Sequence, residues 1–162
     1  MQVKKTRRSN KERSEHTRRA LIDAAGGLFR EKGYAETGTP EIVAAAAITR
    51  GALYHHFTDK ADLFRAVVER EAASVADRIE QDTARSSSAM QALLDGADAY
   101  FAAMAEPGRV RLLLVDGPAV LGAREMRDID RRTGGHSLKR GLAAIIGSEI
   151  GDGELDALTE ML

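Results

Sequence analysis

TGTPEIVAAAAITRGALYHHFTDK, residues 37–60, holds two short helical patterns separated by a few residues, and then the start of a third helix. Thr39 can cap free backbone N–H groups, and Pro40 at the first helical position loses no hydrogen bond. Ile42, Val43 and Ala46 give this first helix one apolar face, and Ile48 can plug the following turn into a core. Thr49 can cap a second helix, Arg50 to Phe57, in which Leu53 and Phe57 face inward four residues apart. Arg50, Gly51, Tyr54 and His55 are left outside. An arginine fork matches the two acceptors of guanine, Gly51 and Ala52 permit close approach to base edges, and Tyr54 and His55 can donate to phosphates. Thr58-Asp59-Lys60 then opens the next helix, offering its free N–H groups and a lysine to a phosphate. The stretch reads as a helix-turn-helix, although a packed helical hairpin of no particular function has the same spacing.

Residues 44–60 resemble the TetR family of bacterial transcription regulators, whose pattern here is close to A-x-A-G-V-[ST]-x-G-x-L-Y-x-H-F-x-x-K. Ala46, Ile48, Thr49, Gly51, Leu53, Tyr54, His56, Phe57 and Lys60 match it. Ala47 departs from it, standing where the family has the glycine of the turn; alanine in a left-handed conformation costs roughly 1 kcal/mol. The resemblance implies an all-α fold: an N-terminal three-helix DNA-binding domain followed by a helical ligand-binding and dimerisation domain. It implies that Arg50, Gly51 and Tyr54 meet bases with Pro40 close by. Thr39, Thr49, His55, His56 and Lys60 would meet phosphate. The function implied is that of a repressor, held as a homodimer on a palindromic double-stranded operator and released by a small-molecule effector.

Composition agrees with such a protein. The 162 residues are 43% apolar and 30% charged, ordinary values for a globular chain. No apolar run reaches membrane-spanning length and no secretion signal opens the chain, so no membrane partner is expected. The lack of cysteine excludes disulfides and thiolate zinc sites and fits a cytoplasmic location. The net charge of −1 hides an asymmetry: residues 1–60 carry 12 Lys/Arg against 7 Asp/Glu, and residues 61–162 carry 12 against 18. The basic surface therefore lies in the N-terminal third, where phosphate would be met.

Outward from the motif, residues 1–14, with Lys4, Lys5, Arg7, Arg8, Lys11 and Arg13, read as a basic flexible arm, able to lie along DNA or simply to be solvated. Leu21, Ala24, Ala25, Leu28 and Phe29 make Glu15 to Lys32 an amphipathic helix stopped by Gly33, with Arg18 and Arg19 near its start within reach of phosphate. Residues 15–60 thus form the reading domain. Residues 61–162 form the second, beginning with one long helix from Lys60 to about Arg85. A helix from Ala89 to Ala105 should turn Met90, Leu93, Leu94, Ala97, Phe101 and Met104 inward. Arg109 to Gly117 is expected to be a buried helix, since a strand there would have no partner. A further helix is expected from Leu121 to Gly147, with a kink at Gly134-Gly135. Leu155, Leu158 and Leu162 mark a last element. The family's C-terminal helices would continue for about 30 residues past it, which bears on dimerisation.

Enzymatic chemistry finds no support. His55 and His56 are adjacent and point about 100° apart on a helix, and His16 and His136 lack a helical partner, so no metal site is expected. No nucleophile elbow, phosphate loop or dinucleotide fingerprint is present, and no cofactor is implied. Met90, Tyr100, Phe101, Met104, Met126 and His136 are the candidates to line an effector cavity, with Asp116 beside them for a cationic or hydroxylated ligand. Plain core packing and a turn-forming aspartate explain the same residues. A second reading keeps the ancestry and drops repression: a truncated helical interaction module.

Overall fold

The computed structural model describes residues 10–134, and beyond them only positions 143 and 153. The described residues form α-helices and one π-helix, with no strand among them, and none of these helices is long and apolar enough to cross a membrane. The helices are α1 (Asn10–Lys32), α2 (Thr39–Ala45), α3 (Arg50–His56), α4 (Lys60–Thr83), α5 (Ala89–Met104), the π-helix Arg111–Asp116, α6 (Gly117–Leu121) and α7 (Ala123–Thr133). The chain divides into two compact units, Met1–Val67 and Val68–Leu162.

In the first unit the apolar face of α1 supplies Leu21, Ala25 and Phe29 to a core completed by Ile42, Leu53 and Phe57. The first turns of α4 add Leu63, Phe64 and Val67, which is why the unit runs past residue 60. Phe64 meets Phe29 edge-on at 5.1 Å and Tyr34 at 4.9 Å between ring centroids. α1 starts at Asn10, so residues 10–14 of the expected arm are helical; residues 1–9 lie outside the described residues.

α2 departs from expectation at its start. Its N-cap is Gly38 in an extended conformation, and Thr39 and Pro40 are already helical. Pro40 still fits, because the first-turn N–H groups have no intrahelical acceptor. The end of α2 shows what Ala47 does. Ile48 N–H donates to Val43 O at 3.0 Å and Ala47 N–H to Ala44 O at 3.1 Å, the two bonds of a Schellman motif. Closing them requires a left-handed residue, and Ala47 adopts φ 53°. Alanine thus takes the conformation that the family's glycine would, at a cost of roughly 1 kcal/mol.

In the second unit, Val68, Val75 and Ala76 of α4 are buried, as are Ala99, Ala103 and Met104 of α5. Of the residues that the spacing turned inward, Met104 is buried and Leu93 half-buried, whereas Met90, Leu94, Ala97 and Phe101 are exposed, Phe101 being 69% accessible. The segment after α5 is a π-helix, only half buried, with Leu112 and Leu113 inside and Leu114 and Val115 outside. Its widening has a local cause. Pro118 has no N–H, and in an α-helix its ring would press on the carbonyl four residues earlier; the i→i+5 pattern, with Gly117 N–H donating to Leu112 O, opens the turn. The expected helix from Leu121 is interrupted, because Gly122 takes φ 84° between α6 and α7. α7 ends at Thr133 with Gly134 as its cap; Gly135, His136 and the elements expected further on lie outside the described residues.

Candidate nucleic-acid interface

The outer face of α3 is assembled as its spacing requires. Thr49 is extended, and its hydroxyl accepts from Ala52 N–H at 3.2 Å, fixing the first turn. Leu53 is fully buried and Phe57 caps the far end from inside the core. That anchoring turns Arg50, Gly51, Tyr54 and His55 outward, all four exposed. The Arg50 guanidinium lies over the Tyr54 ring, 5.5 Å from its centroid. A hydrogen bond with Thr39 and, after it, one with Arg50 lower the Tyr54 phenol below its ordinary range. Thr39, missing as a cap, is thus the α2 neighbour of the Tyr54 phenol. A Cβ built on Gly51 meets nothing within 4 Å, so the space in front of it is open.

The C-terminal end of α3 gathers basic groups. His55 and His56 stand ring to ring at 5.2 Å, and the Arg18 guanidinium of α1 lies 5.2 Å over the ring of Phe57. Partial burial, then the charges of His55 and Arg18, push His56 below the ordinary imidazole value. His55 is exposed and His56 half-buried.

Lys60 is placed otherwise than expected. Its ammonium donates to Tyr34 O at 3.0 Å and Thr37 O at 3.1 Å, and sits 4.0 Å from the centroid of the Tyr34 ring. The start of α4 is also occupied: Asp62 N–H donates to Asp59 Oδ1 at 2.7 Å while Thr58 N–H donates to Asp62 Oδ2 at 3.0 Å. Asp59 thus caps α4 and Asp62 reaches back to the residue before it, an arrangement close to a capping box whose signal is present in the sequence as Asp59 three residues before Asp62. The lysine braces the loop 33–38 against α4, and the N–H groups of Thr58 and Asp62 are taken by the two aspartates. Lys60→Met should therefore lower stability by about 1–3 kcal/mol, the cost of losing a charged donor to two part-buried carbonyls. Urea denaturation reads this, and an unchanged midpoint with weakened duplex binding would return Lys60 to the phosphate contacts.

The cavity candidates do not converge. Met104 is buried in the core, Met90, Tyr100 and Phe101 lie on the outside of α5, and Asp116 faces Arg111 at 3.6 Å. Met126 packs on Gly117, where an added Cβ would stand 2.9 Å from the Met126 thioether. His136 falls outside the described residues.

Two family models match the chain: bacterial regulatory proteins of the tetR family over residues 21–67, and the tetracyclin repressor-like C-terminal domain over residues 90–162. A TetR-family transcriptional regulator from Pectobacterium atrosepticum is 32% identical in sequence. It superposes with a TM-score of 0.77, over 95% of this chain and 79% of that one. Among curated relatives, the HTH-type transcriptional regulator AcrR of Shigella flexneri is 39% identical over 70 residues, covering 43% of this chain and 33% of AcrR. The regulator CymR of Pseudomonas putida is 36% identical over 98 residues, covering 59% of this chain and 48% of CymR. The matched stretches thus span about a third to a half of these curated relatives.

Proposed function

This chain belongs to the TetR family of bacterial regulatory proteins, and we propose that it is a transcriptional repressor that reads a palindromic operator as a homodimer. The observation that supports this most directly is the outer face of α3, where Arg50, Gly51 and Tyr54 stand exposed on a helix anchored by Leu53 and Phe57. Arg50 reads a guanine edge, Gly51 lets the backbone approach, and Tyr54 meets a base. Pro40 stands close to these base contacts, and Thr39, Thr49, His55 and His56 hold phosphates. Two such heads fit half-sites about one helical turn, or about 34 Å, apart. The second unit, Val68–Leu162, carries the dimer contacts and takes a small-molecule effector whose binding releases the operator. The match of residues 90–162 to a repressor-like C-terminal domain supports that role. The protein binds rather than catalyses, and it works in the cytoplasm.

The test is selection of bound duplexes from a random pool at near-physiological salt, read by sequencing. A two-fold symmetric site should emerge. Arg50→Ala should lose about 1–3 kcal/mol on that site and little on random DNA, because a bidentate base contact is lost while the phosphate contacts remain. Equal losses on both would remove its base-reading role. Failure of the folded protein to enrich any motif would favour the interaction-module reading.

A further inference from the structure

The first three turns of α1 are a helix without a core. Residues 10–16 are all exposed, and the first fully buried side chain is Leu21, where the match to the family's DNA-binding model also begins. A helical segment that is polar all round stabilises itself poorly, so its place is explained by what it reaches. Arg18 shows the direction: its guanidinium lies over Phe57, the residue that caps α3, and its charge is felt by His56. At 100° per residue, Lys11 lies about 20° from Arg18 around the helix and about 10.5 Å further along it. Both fall on the side of α1 that, further on, carries Leu21, Ala25 and Phe29 into the core. That side therefore runs out past the end of α3 as a row of cations. Glu15 flanks the row at about 60°, while Glu12 and Arg13 point well away, at about 120° and 140°. Arg13 is hydrogen-bonded to the Asn10 side-chain oxygen at 3.0 Å.

We propose that Lys11 and Arg18 form a backbone-binding row on α1 that continues the basic end of α3 and lengthens the DNA footprint beyond the helix-turn-helix. This rests on the DNA-binding reading given above. The row touches phosphate, so it adds affinity and salt dependence without sequence preference.

The experiment compares the full-length protein with Lys11→Gln, Lys11→Arg and Arg13→Gln, measuring binding to the selected operator and to random duplex by fluorescence anisotropy across a salt series. Removing one phosphate contact should reduce the slope of log affinity against log salt by about 0.9. The advantage of the unaltered protein over Lys11→Gln should accordingly shrink about 3.5-fold between about 50 and about 200 mM salt. The loss should be the same factor on both duplexes, Lys11→Arg should restore the slope, and Arg13→Gln should leave it unchanged. A Lys11→Gln slope equal to that of the unaltered protein would overturn the row and leave the reading head standing. Equal losses for Lys11→Gln and Arg13→Gln would also overturn it, since charge alone and not the face would matter. If the unaltered protein binds no duplex, both proposals fall.

Discussion

Arg109→Met and Glu71→Met, each made alone, should lower stability by about 3–5 kcal/mol, while the double variant should recover most of the loss. Glu71 on α4 is 3% accessible and Arg109 is 9% accessible, which places both charges out of water. Arg109 Nε donates to Glu71 Oε2 at 3.1 Å and its Nη1 to Ala103 O at 2.7 Å, so one guanidinium ties the end of α5 and the approach to the π-helix back to α4. Removing one partner strands the other charge in a poor dielectric; removing both leaves apolar side chains of comparable volume, which a core tolerates. Arg70 also reaches Glu71, at 3.4 Å, so Arg109→Met should be the milder of the two single changes. Urea denaturation of the four proteins gives the cycle directly. Single variants within about 0.5 kcal/mol of the unaltered protein would show that the pair contributes nothing net.

Phe64→Ala should cost about 3–5 kcal/mol and abolish duplex binding with it. Phe64 is fully buried, on the first turns of α4, and closes an aromatic cluster with Phe29 of α1 and Tyr34 of the loop between α1 and α2. Truncation would leave a cavity lined by rings, which relax poorly because they move as rigid plates. The same cluster seats the Lys60 ammonium on Tyr34, so its loss also loosens the start of α4. The denaturant midpoint and duplex affinity, measured on one preparation, test both parts. A folded Phe64→Ala protein of unaltered affinity would show that the reading head does not depend on this packing.

Much of the candidate interface was legible in residues 37–60. Thr49 caps α3, Leu53 and Phe57 turn inward, and Ala47 stands where a left-handed residue is required. Each of these is decided within four or five residues, by hydrogen bonds and sterics that the sequence states outright. Lys60 was not legible in the same way. Its partners, the carbonyls of Tyr34 and Thr37, lie more than twenty residues earlier, and a lysine beside a helix start looks free until the chain folds back over it. Thr39 shows the same contrast: its local capping signal yielded to Gly38, while its hydroxyl acts on the Tyr54 phenol of the next helix.

α5 marks the limit of periodicity. The spacing of Met90, Leu94, Ala97 and Phe101 states correctly that they share a face, yet that face stays exposed, and burial falls on Ala99 and Ala103 opposite it and on Met104 at the helix end. The Glu71–Arg109 pair is equally silent in sequence, 38 residues apart and built of residue types that normally face water. The sequence by itself determined the all-α class of the described residues, where α3 starts and stops, and which side chains that helix turns outward. Only the tertiary structure decided which apolar faces find a neighbour and which charges are drawn inside, because helix boundaries depend on contacts a turn away, whereas burial depends on segments that meet only after the chain has folded.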